Sequence, residues 1–189
     1  MPENYVGRKF RTEFVGSSVP NGKLVDKILE ASHRLNGRGL TPANGGNLSV
    51  RTQEGMLITV GGKNKGELAV GDVVEVVGFD AAQLVARVRG RQEPSSETPM
   101  HWLIYERYPE VNAVVHAHDY TVVGDHAKAR RLKLKFTERE HPYGTLEQAE
   151  DVSSALSDSD YVVILNHGVV SVGRNLEEAV RRIEEVYNL

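Results

Sequence analysis

Cysteine is absent from the 189 residues. That excludes disulfides, thiolate metal ligands and a cysteine nucleophile, so any metal centre here must be built from His, Asp and Glu. Long hydrophobic runs are absent too. No stretch reaches the ~18 consecutive apolar residues that a membrane helix needs. Met1 to Phe14 is polar and charged and lacks the apolar segment of a signal peptide, so a cytoplasmic location is expected. Charge of one sign is also lacking: 23 Lys and Arg stand against 26 Asp and Glu, a net charge of −3. This balance argues against general nucleic-acid binding. Lys128, Arg130, Arg131, Lys133 and Lys135 do cluster, but almost no aromatics interleave them, and they read as a solvated surface. The alternation Leu132-Lys133-Leu134-Lys135-Phe136 fits an edge strand guarded by lysines.

What is present is a globular composition, 40% hydrophobic and 26% charged, long enough for one domain with a real core. Residues 1–20 lack clear periodicity and read as an N-terminal arm; 21–189 read as a single domain. Asn21 is placed to cap a helix starting near Gly22, with Leu24, Val25, Ile28, Leu29 and Leu35 as its apolar stripe. Strands are predicted at 48–51, 56–60, 72–77, 84–88 and 112–116, with a turn at 78–81. Helices are predicted from Ser95 or Ser96 to Tyr108, over 121–130, and from Thr145 to Leu156. Tyr161 to Leu165 is wholly apolar, as expected of a strand buried on both faces. A return strand, 169–172, precedes a last helix, 176–187. Strands alternating with helices imply an α/β sandwich. Short adjacent strands in the first half imply a largely antiparallel sheet.

The chemistry-bearing residues fall at the ends of these elements. Ala113-Val114-Val115 leads into His116-Ala117-His118. On a strand, residues two apart share a face, with Cα atoms roughly 6.6 Å apart at ~3.3 Å per residue. Both imidazoles therefore project the same way and can share one metal ion. A third histidine, His167, closes the second buried strand. If the strands are neighbours, three imidazoles meet at one sheet edge, leaving a fourth position open as in catalytic zinc sites. Glu97 is then the carboxylate that faces them; taken alone, it is an ordinary first-turn acid. His101, one turn later, reads as a packing or supporting residue rather than a ligand. Two loops of small residues, 41–47 and 61–66, have paired glycines whose N–H groups can approach an anion.

Gly46-Asn47-Leu48-Ser49, Pro94-Ser95-Ser96-Glu97, Val115-His116-Ala117-His118 and Asn166-His167-Gly168, in this order, resemble the motif set of the class II aldolase/adducin family. The resemblance runs from about Val25 to Tyr187. It implies a three-layer α/β/α sandwich and a homotetramer with active sites at subunit boundaries. It also implies one divalent ion per subunit, usually zinc, on His116, His118 and His167. The glutamate at 97, where the 4-epimerase has aspartate, resembles the aldolase branch, in which it moves a proton at the carbon next to the carbonyl. The implied reaction is cleavage of a small, fuculose-phosphate-like ketose phosphate to dihydroxyacetone phosphate and an aldehyde, through a metal-stabilised enediolate. Ribulose-phosphate 4-epimerase and methylthioribulose-phosphate dehydratase on the same scaffold, or a non-catalytic adducin-like module, are the alternatives. Asn44, Gly46, Asn47, Gly61, Gly62, Ser95 and Ser96 are implied as the phosphate site. Tyr143 resembles a family tyrosine that donates a proton in a neighbouring subunit's site. Gly61 lacks the hydroxyl that the family's phosphate loop often carries, and Lys63 or Lys65 is placed to compensate. No membrane or nucleic-acid partner is expected.

Overall fold

A computed structural model describes residues 7–189. Its centre is one nine-stranded sheet in the order β1-β5-β4-β3-β2-β6-β9-β8-β7. The strands are β1 (Arg11–Gly16), β2 (Asn47–Arg51), β3 (Met56–Thr59), β4 (Val73–Asp80), β5 (Val85–Arg89), β6 (Ala113–Ala117), β7 (Lys135–Phe136), β8 (Tyr161–Ile164) and β9 (Gly168–Gly173). Only the two outermost pairings, β1 with β5 and β7 with β8, are parallel. The other six are antiparallel, so the predicted largely antiparallel sheet is observed.

Helices cover both faces. On one side lie α1 (Lys23–Gly37), α3 (Tyr120–Val123), α4 (His126–Arg131) and α6 (Leu176–Tyr187), whose apolar stripes pack on Val115, Val163 and Val169. On the other lie α2 (Thr98–Arg107) and α5 (Leu146–Ala155), packed on Val114, Val162 and Val170. Alternate residues of one strand thus feed opposite cores, as the period of two requires. The arrangement is the expected three-layer sandwich. Among the described residues, no helix is long and apolar enough to cross a membrane.

Four local expectations are corrected. Arg11–Gly16, inside the predicted arm, is a sheet strand; most of its side chains are exposed on either face, so no alternation marks it. The rest of that arm prediction, residues 1–6, lies outside the described residues. The Asn21 cap does not form: Gly22 holds the N-cap position of α1 without a side-chain bond. The turn predicted at 78–81 begins later, since β4 runs through Gly78 to Asp80 past an irregularity in its ladder. The single helix predicted over 121–130 is two, α3 and α4. They are separated at Gly124 and Asp125, where the Asp125 carboxylate accepts the Lys128 N–H at 2.9 Å and restarts the helix. The lysine-guarded strand does lie at the sheet edge, although only Lys135 and Phe136 pair.

Candidate active site

The site forms where β2, β6 and β9 run side by side. In the register, Asn47 of β2 lies opposite His116 of β6, which lies opposite Val170 of β9. His116 therefore points into the α2 side of the sheet, and His118 follows it just past the strand end. His167 sits in the tight turn between β8 and β9. Asn166 makes that turn with φ 57°, a left-handed conformation that Asn tolerates better than most residues. The His167 N–H donates to Ile164 O at 3.2 Å. Gly168 follows because nothing larger fits: a Cβ there would lie 2.5 Å from Ala117 O and 2.6 Å from His116 Cε1.

The three imidazoles converge, with one ligand nitrogen from each lying within 4.8 Å of the others. The His116 and His167 rings stack at 4.8 Å, 8° from parallel. His116 Nδ1 donates to Val169 O at 3.0 Å, which fixes the tautomer and leaves Nε2 as the lone-pair nitrogen. Burial, reinforced by the neighbouring His116 and His167, pushes the pKa of His118 down to about 3. It is neutral at pH 7, the form that binds a metal. An all-nitrogen trio of imidazoles fits a borderline divalent ion such as zinc.

Glu97 touches two of these rings. Its Oε1 lies 3.0 Å from His167 Nε2 and its Oε2 3.1 Å from His116 Nε2. Burial raises the pKa of this carboxyl, but His116, His167 and Asn47 together outweigh burial and hold it well below the usual carboxylate range. The local fold explains how it is aimed. Glu97 at the N-cap of α2 and His101 and Tyr105 within it recur one turn apart on its inner face, and Asn47 and Ser49 share the facing side of β2. The two sets interlock. Asn47 Nδ2 donates to Glu97 Oε2 at 2.7 Å, and His101 Nε2 meets Asn47 Oδ1 at 2.5 Å. Ser49 Oγ meets His101 Nδ1 at 2.6 Å and Tyr105 OH at 2.8 Å. A carboxylate only accepts, so the directions follow. Asn47 donates to Glu97, His101 Nε2–H donates to Asn47, Ser49 donates to His101, and Tyr105 donates to Ser49. Burial pushes the pKa of His101 down to about 3, consistent with this single neutral tautomer.

A cavity of about 560 Å³ opens over Glu97, His118 and His167. Asn44, Gly46, Asn47, Gly61, Gly62, Ser95, Ser96 and Tyr143 all line it. Every predicted site residue but His116, which is fully buried, therefore reaches one space. Several have engagements that the sequence did not suggest. Asn47 holds Glu97. The Gly61 N–H donates to Glu93 O at 3.3 Å, whereas the Gly62 N–H has no partner among the described residues. Gly46 needs its positive φ of 74°, and a Cβ on it would strike Thr41 Cγ2 at 2.6 Å. Tyr143 lies in the cavity of its own chain, its ring nearly parallel to His167 at 6.3 Å and beneath the Lys9 ammonium at 4.9 Å. Of the two loop lysines, Lys63 pairs with Asp72 at 2.5 Å, away from the cavity wall, while Lys65 is buried in that wall. Sequence reasoning missed Ser49, Tyr105 and Tyr120. The exposed Tyr120 lines the cavity, its OH 3.3 Å from His118 Nδ1. A polar stripe at 97, 101 and 105 on an otherwise apolar helix was the available signal for Tyr105.

Three converging imidazoles, a buried carboxylate against two of them and a polar cavity above define an α/β/α protein with a candidate metal centre. The chain belongs to the Class II Aldolase and Adducin N-terminal domain family, whose sequence model matches residues 26–189. It is 32% identical over 168 residues to an L-fuculose phosphate aldolase of Methanococcus maripaludis (strain C7), covering 83% of this chain and 88% of that protein. It is 27% identical over 189 residues to a methylthioribulose-1-phosphate dehydratase of Pseudoalteromonas translucida, covering 87% of each. The structure of L-fuculose-1-phosphate aldolase from Thermus thermophilus superposes with a TM-score of 0.71 at 27% identity, covering 87% of this chain and 90% of that one. Aldolases and dehydratases are both lyases.

Proposed function

We propose that the chain is a metal-dependent aldolase that cleaves a small ketose phosphate of the fuculose-phosphate type to dihydroxyacetone phosphate and an aldehyde. The observation that carries this reading is the placement of Glu97, a buried carboxylate within 3.1 Å of two candidate ligands and open to the cavity. His116, His118 and His167 would hold one divalent ion, with zinc favoured by the all-imidazole donor set. Such an ion supplies Lewis-acid stabilisation of negative charge beside a carbonyl.

The chain's own residues do the rest. Breaking a C–C bond next to a carbonyl leaves an enediolate whose carbon must take up a proton. Glu97, which lines the cavity, carries that proton to and from carbon, and Asn47 holds its Oε2. Gly62 N–H, Ser95, Ser96, Asn44, Gly46, Gly61 and the second amide N–H of Asn47 bound the region assigned to the phosphate. Phosphate binding away from the reacting carbon orients the substrate. Tyr143, alongside His167, serves the aldehyde side: it takes up the hydroxyl proton released as that carbon becomes a carbonyl in cleavage, and it donates the proton back in condensation. The dehydratase relative supports a second reading, in which the same proton abstraction by Glu97 is followed by loss of a β-hydroxyl instead of C–C cleavage. A homotetramer, which rests on the family resemblance, and a cytoplasmic location, which rests on the sequence, go with either reading. Sedimentation analysis and fractionation test them.

Glu97→Gln keeps the shape but cannot take a proton. General acid–base catalysis contributes ~10²–10⁴-fold, so kcat should fall by about that factor. Solvent deuterium exchange into dihydroxyacetone phosphate should vanish with it, and zinc content should stay at the wild-type level. Near wild-type turnover, or loss of the metal, refutes the role. Product analysis on a panel of ketose phosphates separates the readings: two fragments mark an aldolase, one dehydrated product with all carbons retained marks the dehydratase.

A further inference from the structure

Lys65 is 1% exposed and among the largest fully buried side chains of the chain, a rare setting for an ammonium. Its Nζ donates to Lys63 O at 2.8 Å and to Asn44 O at 3.2 Å. An ammonium has three donors and no acceptor. One N–H is therefore left over, on a group that forms part of the cavity wall. No carboxylate lies within ion-pair distance of it among the described residues. Asp72 is taken by Lys63, and Glu97 and Asp72 act on Lys65 only through space. A buried charge without a counter-ion is costly, and the protein nonetheless fixes this one firmly. The Lys65 N–H donates to Ala43 O at 3.2 Å, and Ser32 Oγ donates to Lys65 O at 2.8 Å.

We propose that Lys65 is the cation that receives the anionic group of the substrate, completing a phosphate site whose loop offers only backbone at Gly61 and Gly62. This rests on the reading of the substrate as a sugar phosphate and adds a residue to it. A phosphate monoester brings about −1.5 to −2 charge and strong acceptor oxygens. Gly62 N–H and the hydroxyls of Ser95 and Ser96 share the cavity with the ammonium and supply further donors. The carbonyls of Asn44 and Lys63 hold the amine from behind, so the ordering cost is met before the ligand arrives. The charged and titratable groups in electrostatic reach are Glu97 and Asp72, which favour the ammonium, and His118 across the cavity. Burial outweighs the two carboxylates and brings the pKa of Lys65 down to about 8. The group is therefore still mainly charged at pH 7, and an arriving anion pushes its pKa back up.

The test uses the zinc-loaded full chain and inorganic phosphate as probe, with calorimetric titration of wild type and Lys65→Met. A hydrogen bond to a charged group is worth enough that the variant should bind phosphate about 10- to 100-fold more weakly, with zinc stoichiometry unchanged. Equal phosphate affinity overturns the assignment. So does a parallel loss of zinc and phosphate, which would make Lys65 a brace between the two loops. If wild type itself binds no phosphate, the sugar-phosphate reading fails first. Should Lys65→Met not fold, wild-type protein carrying ¹³C-labelled lysine decides. The Lys65 ε-methylene titration should move to higher pH when phosphate is added, and a titration that does not move overturns the proposal.

Discussion

Gly168→Ala is a clean perturbation of the candidate metal centre, because its cost comes from contact alone. Gly168 is not among the residues with positive φ, so alanine meets no backbone penalty there. Its methyl group would lie 2.5 Å from Ala117 O, 2.6 Å from His116 Cε1 and 3.3 Å from His118 Cδ2. Carbon atoms in contact prefer 3.5–4.0 Å, so the His116 ring must retreat by about 1 Å. It has little freedom to do so. The ring is fully buried, its Nδ1 is tied to Val169 O, and β6 is locked to β9 through the pairs His116 with Val170 and Ala117 with Val169. Overpacking of this kind costs ~1–3 kcal/mol, and each kcal/mol lowers Tm by roughly 2–4 °C in a chain of this size. Displacing a ligand by this much should weaken zinc binding about 10- to 100-fold, the range seen when a ligand's supporting shell is disturbed. Competition against a chromophoric chelator measures the affinity, and a melt of the metal-free protein measures the packing cost. Gly62→Ala is the control. Its φ is +74° with nothing within 4 Å, so it carries backbone strain of roughly 1–2 kcal/mol and should leave zinc affinity untouched. If Gly168→Ala keeps zinc affinity within about twofold and Tm within about 1 °C, the close packing of Gly168 on the histidines is not what the turn requires.

His167→Ala should lose most zinc on dialysis against a weak chelator, as read by elemental analysis; full retention would rule out the three-histidine site. Ser96→Ala should raise KM for a phosphorylated substrate far more than for its dephosphorylated analogue, and equal effects would remove Ser96 from the phosphate site. His101→Phe leaves Asn47 Oδ1 and the hydrogen of the Ser49 hydroxyl without partners and should cost ~1–3 kcal/mol in metal-free protein at pH 7. Its pH dependence has a definite sign. With a native pKa of about 3 against ~6.5 unfolded, the unfolded chain binds more protons between those values. The contribution of His101 to stability is therefore complete above about pH 6.5 and is lost as pH falls towards 3. The gap between wild type and variant in urea midpoints should narrow across that window, and a gap that widens on acidification refutes the neutral assignment.

How much of this was readable from the chain varies with what each element packs against. Helix α6 was legible at both ends because Leu176, Ala179, Val180 and Ile183 are buried at helical spacing. In addition, Asn175 accepts the Glu178 N–H as a cap. The His116 and His118 pair was legible because a strand's period is fixed by its backbone. Strand β1 was not, since a largely exposed strand has no pattern to betray it. Nor was the attachment of Asn47 to Glu97, which depends on the packing of β2 against a helix some 50 residues away in sequence. Lys63 and Lys65 look alike as letters, and only the path of the loop decides that one is neutralised at the surface by Asp72 while the other is buried in the cavity wall.

The chain of donors from Tyr105 to Glu97 runs one way, and this makes two identical atoms different. In water the oxygens of a carboxylate share charge and protons equally. Here Oε2 accepts the amide hydrogen of Asn47, whereas Oε1 meets His167 Nε2 at 3.0 Å. One oxygen is thereby tied to the donor chain of β2 and α2, and the other to a candidate metal ligand. That difference between the two oxygens is set in part by Ser49 and Tyr105, two residues outside the cavity wall.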